Sequence, residues 1–88
     1  MMKYTIAHYQ KSNSMWMTNG GKLIVTDNEY IVKYLFQTVV RFKAPKTLIS
    51  PISNTMLYSG FRFDDGEKSI DLYFFPKTAT KLRKHFNV

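Results

Sequence analysis

Apolar and polar residues alternate along most of this chain, and a period of two marks strands with one buried face. Residues 3–9 read as a first strand, and the polar run Gln10-Lys11-Ser12-Asn13-Ser14 as the turn after it. Met15-Trp16-Met17 is a short apolar strand ended by Thr18-Asn19-Gly20-Gly21, where adjacent Asn and Gly tolerate positive φ and suit a tight reversal. Residues 22–26 form the next strand, with Leu23 and Val25 on one face and Ile24 on the other. After the short turn Asp27-Asn28, residues 29–36 place Tyr30, Val32, Tyr34 and Phe36 on a common face. Val39, Val40 and Phe42 have pairing resume after Gln37. Ala44-Pro45-Lys46 breaks that run, because proline has no N–H to give a ladder. Thr47-Leu48-Ile49 is a short strand, and Ser50-Pro51 breaks it again.

The clearest hairpin joins residues 56–63 to residues 68–75 across Asp65-Gly66. With those two residues as the loop, Phe61 sits opposite Ile70, and Phe61, Phe63, Ile70, Leu72 and Phe74 share one face. The period changes at Pro76, which suits a first helical turn. From residue 77 to 86 the apolar positions Ala79, Leu82 and Phe86 fall on one stripe of a helix, with Lys77, Lys81 and Lys84 opposite. About seven short strands and one terminal helix predict a mostly β fold, a small antiparallel barrel or roll whose helix covers an open face.

Eighty-eight residues make one domain, spanning 1–88, with no internal repeat, linker or low-complexity segment. There are no cysteines, so the core must come from side chains alone: 44% are hydrophobic and 16% aromatic. That composition suits a reducing compartment, and no run approaches the length of a membrane-spanning helix; the expectation is a cytoplasmic, soluble protein. The net charge of +7 favours phosphate-bearing partners, either nucleic acid or an anionic membrane surface, although basic surfaces also serve solubility.

The stretch Gly20-Gly21-Lys22-Leu23-Ile24-Val25-Thr26-Asp27-Asn28-Glu29-Tyr30-Ile31-Val32 resembles the pleckstrin-homology-like superfold, and within it the GRAM and bacterial PH-like domains. Gly60-Phe61-Arg62-Phe63, the Asp65-Gly66 turn, Leu72-Tyr73-Phe74-Phe75 and the closing helix extend the likeness over roughly residues 15 to 86. The resemblance implies a seven-stranded, strongly bent sheet plugged by a C-terminal helix, binding phosphoinositides, other anionic lipids or proteins. Lipid-binding members concentrate cations around the first hairpin. Here the first loop holds only Lys11, with Lys22 further on, a departure from a specific inositide pocket.

Candidate chemistry is sparse. His8 and His85 lie far apart without an obvious carboxylate neighbour, and no G-x-S-x-G, P-loop or H-E-x-x-H occurs, so no catalytic residue, metal site or cofactor is expected. Asp64, Asp65 and Glu67 read as a solvated hairpin tip, with Asp71 paired to Arg62 on the outer face. Two basic sets are candidates for an anionic partner. The helical one is Lys77, Lys81, Arg83 and Lys84, which would equally serve as a solvated outer face. The other is Lys33, Arg41, Lys43 and Lys46, of which the first three occupy the polar phase of their strands and could line one sheet surface. Tyr73 and Phe75 oppose the apolar set of the last hairpin; exposed rings beside cations are what single-stranded nucleic-acid binders use. Met15-Trp16-Met17 cannot all face inward, which leaves an edge or a homodimer contact open beside a monomer. The expected function is a non-catalytic binding or adaptor module docking a protein partner or an anionic membrane surface; the alternative is a small basic β-barrel binding nucleic acid nonspecifically.

Overall fold

In the computed structural model the alternating segments among the described residues form seven strands: β1 (Met2–Lys11), β2 (Trp16–Val25), β3 (Glu29–Tyr34), β4 (Gln37–Lys43), β5 (Leu48–Asn54), β6 (Ser59–Asp64) and β7 (Ser69–Phe74). A single 3-10 turn, Ala44–Lys46, joins β4 to β5, and the helix α1 (Pro76–Phe86) closes the chain. The structure describes residues 2–11, 16–54 and 57–88, and side chains there except those of residues 11–20 and 53. The expected turn around residues 12–14, the outward placement among Met15, Trp16 and Met17, and Met56 lie outside the described residues.

All strands pair antiparallel in one sheet of order β4-β3-β2-β1-β7-β6-β5. The mostly β architecture with a C-terminal helix is the one expected from the alternation. β1 lies at the centre and pairs with both β2 and β7. Its buried positions are Tyr4 and Ile6, then Ala7 and Tyr9, so its inward phase switches at Ile6–Ala7. There β2 carries an extra residue: Ile6 pairs with Gly21 and His8 with Thr18. Thr18-Asn19-Gly20-Gly21 is therefore a bulge inside one long strand, not the reversal expected of it. Its conformational latitude is spent on bending the sheet. Gly21 lets the strands close there, since a Cβ on it would lie 3.3 Å from Ile6 Cβ.

The turn at Asp27-Asn28 is confirmed, held by the Thr26 hydroxyl oxygen, which accepts from the N–H groups of Asn28 and Glu29. β3, however, ends at Tyr34. Leu35 and Phe36 form a two-residue loop between paired Tyr34 and Gln37, so Phe36 leaves the face assigned to it. Val39 is the extra residue of a second bulge, because Val32 pairs with Val40 and Lys33 with Thr38. Ser50-Pro51 lies within β5 and does not end it, although the pairing with β6 shifts register between Pro51 and Asn54. β5 is an edge strand, where a missing N–H costs no ladder bond.

The last hairpin pairs Phe61 with Leu72 and Phe63 with Ile70, two residues from the expected register, because its loop is longer than Asp65-Gly66. An even shift preserves the face, and Phe61, Phe63, Ile70, Leu72 and Phe74 are all buried as expected. They join Tyr4, Leu23, Val25, Val32, Val40 and Phe42 in one core. Ala79 and Leu82 of α1 bury into it, and Phe86 sets its ring edge-on to Tyr30 and Phe63. α1 thus covers the inner side of the sheet. Asn87 ends it in the left-handed region (φ 58), with the Val88 N–H donating to the Arg83 carbonyl.

Candidate functional site

Since Tyr4, Leu23, Val25, Val32, Val40 and Phe42 point inward, their alternates on β1–β4 form the outer face. The register arranges these residues in rows. One row runs Thr5, Lys22, Lys33, Thr38; the next runs Lys3, Ile24, Ile31, Arg41; beyond it Glu29 pairs with Lys43. Lys33, Arg41 and Lys43 do line one surface, and Lys3 and Lys22 join them. Sequence reasoning left both out of the site. The signal was present for Lys22, because the tight Asp27-Asn28 turn alone sets it opposite Lys33.

Charge on this face is weakly compensated. Its one acid, Glu29, meets Arg41 at 3.5 Å. Lys22 Nζ donates to Thr5 Oγ1 at 2.9 Å, and the ammonium groups of Lys3, Lys33 and Lys43 have no ion-pair or hydrogen-bond partner among the described residues. Like charges set directly across a strand pair repel, so the Lys22–Lys33 pairing costs stability on its own. Ile24 and Ile31 sit between Lys3 and Arg41, whose methylene stems can cover apolar surface while the charge stays in water. Among the described side chains, these rows therefore offer cations over an aliphatic floor.

No protein-family model matches the chain, and neither a curated protein nor a solved structure does.

The other predicted cations divide. Lys77, Lys81 and Lys84 are exposed on the outer stripe of α1, but α1 covers the inner side of the sheet, so they point away from the strand cations. Arg83 does not belong with them: its guanidinium lies 5.5 Å from the centroid of the Phe61 ring and within 3.4 Å of Asn54 Oδ1. Lys46 is also off the sheet surface. It lines a cleft of about 430 Å3 between the β4 end and the β6–β7 loop, with Arg41, Lys43 and Lys68 among its other cations. Two of the acids there, Asp65 and Glu29, are already engaged. Asp65 accepts from the N–H groups of Glu67 and Lys68, which holds its carboxyl below the usual range, and Glu29 serves Arg41. Asp64 likewise accepts from the Gly66 N–H.

The outer face of β6–β7 is different. Arg62 grips Asp71 through two bonds, 2.8 and 3.1 Å, as expected. Tyr73 lies over Gly60, where a Cβ would come within 2.7 Å of its ring. His8 stacks on Tyr73 at 4.8 Å and meets Tyr58 edge-on at 4.6 Å, and Tyr58 contacts Phe75. These rings are engaged with one another and stand apart from the basic rows. Burial lowers the His8 pKa. His85 lies on the exposed flank of α1, edge-on to Phe86.

Proposed function

We propose that this chain is a non-catalytic binding module that docks on an anionic membrane surface through the outer face of β1–β4. The observation that carries the reading is the uncompensated Lys22–Lys33 pair, a repulsion that an external anion would relieve. Lys3, Arg41 and Lys43 extend it into a patch that could meet several headgroups at once, each cation near an anionic surface contributing about 1 kcal/mol. The seven-stranded sheet with its C-terminal helix supports the PH-like resemblance, and that resemblance points to the same kind of partner. Nucleic acid is the weaker reading because bases need free rings to stack on, and the basic rows have none.

The test is co-sedimentation with vesicles of phosphatidylcholine, with and without phosphatidylserine, at low and high salt. Single-stranded DNA and RNA are titrated alongside. Binding should require phosphatidylserine, weaken with salt, and fall about tenfold or more in a Lys22→Glu/Lys33→Glu variant. Binding to nucleic acid alone would overturn the membrane reading in favour of the basic β-barrel alternative.

A further inference from the structure

The basic rows end at a feature that charge does not explain. Beyond Lys33 and the Tyr34–Gln37 pair, the chain reverses through Leu35 and Phe36. Two-residue hairpin loops favour Asn, Asp and Gly, which reach positive φ at little cost. Here Leu35 holds φ 57, a conformation that crowds a branched side chain. The strained turn sends both apolar side chains into water: Phe36 is 100% exposed and Leu35 71%. An apolar groove of about 370 Å3 continues from them along Tyr9, Tyr34 and Val39. Strain combined with exposed apolar surface is an observation from which function can be inferred.

We propose that Leu35 and Phe36 are an insertion anchor that enters the apolar boundary of an anionic bilayer. The inference rests on the membrane reading above. Lys33 lies two residues behind Leu35, about 7 Å along the strand, with Lys22 beside it. Peripheral groups bury to a comparable depth, about 5–10 Å, at the headgroup boundary. Cations held at that height therefore meet headgroups as the tip reaches the acyl region. Charge complementarity selects the occupant, since the cations flanking the tip have no acidic partner among the described residues. A two-residue tip is also far smaller than the roughly 1,000 Å2 a stable protein interface needs.

The chain has no cysteine, so a single introduced one can be labelled uniquely. Gln37→Cys carries an environment-sensitive fluorophore next to the intact tip, and Glu67→Cys carries it on the β6–β7 loop as a control. With phosphatidylcholine–phosphatidylserine vesicles the label at 37 should brighten and shift to the blue, and the label at 67 should not. A Leu35→Ser/Phe36→Ser variant, which alters only exposed side chains, should lose about tenfold to a hundredfold in vesicle affinity while remaining salt-sensitive. Vesicle binding that survives this variant unchanged, with the label at 37 still in water, overturns the anchor and leaves the docking reading standing. Absence of vesicle binding by the unmodified chain overturns both. A label response only to added protein would replace the bilayer with a protein partner.

Discussion

Gly60 shows how much one missing methyl can hold in place. Tyr73 and Ile52 both close over its backbone, at 2.7 and 2.9 Å from where a Cβ would stand. Gly60→Ala should therefore cost about 1–3 kcal/mol by overpacking, measured as a lower denaturant midpoint. Leu35 is the reverse case. Leu35→Asn, which tolerates the left-handed region, should raise the unfolding free energy by about 1 kcal/mol while weakening vesicle binding. Function and stability would then pull that position in opposite directions. Titration adds a third test. Burial lowers the His8 pKa, so below about 6.5 the unfolded chain takes up a proton before the native one does. Stability should fall with pH from there until native His8 also protonates, and His8→Gln should flatten that stretch. Tyr4, Tyr9 and Tyr30, raised by burial, act at the other end. Their contribution is intact below about pH 10 and is lost as pH rises through their elevated values.

Among the elements, those governed by local period were legible. The α1 stripe was readable from Ala79, Leu82 and Phe86, and Leu82→Ala should cost about 2–5 kcal/mol, read from thermal or denaturant unfolding. The face of the last hairpin was readable although its register was not, because side-chain facing depends only on whether the shift is even. Turns were harder. Asn19-Gly20 carries a strong reversal signal yet forms a bulge, since the same permissive backbone serves either purpose and only tertiary bending chooses between them. Leu35-Phe36 carries no reversal signal and yet reverses, because pairing on both sides fixes the loop length. Pro51 marked a break on general grounds, but its tolerance follows from β5 being an edge, and strand order is not written in local pattern.

At the scale of the molecule, the candidate site was legible residue by residue and not as a set. Lys33, Arg41 and Lys43 followed from phase, but that α1 sends Lys77, Lys81 and Lys84 to the other side of the sheet follows from topology alone. Neutralising those three to glutamine should accordingly weaken vesicle binding less than reversing Lys22 and Lys33, a comparison open to the same co-sedimentation assay. The central place of β1 has a consequence in time. Its partner β7 is among the last segments of the described chain to be synthesised, so on the ribosome β1 can have only its β2 neighbour until nearly all of the sheet has emerged. Joining β1 to β7 closes a loop of some sixty residues, an entropic cost that must be met before the contacts across it reward it. A nascent chain halted before β7 should therefore remain protease-sensitive over β1. Folding should follow the emergence of β7 as a late, concerted event and not proceed strand by strand.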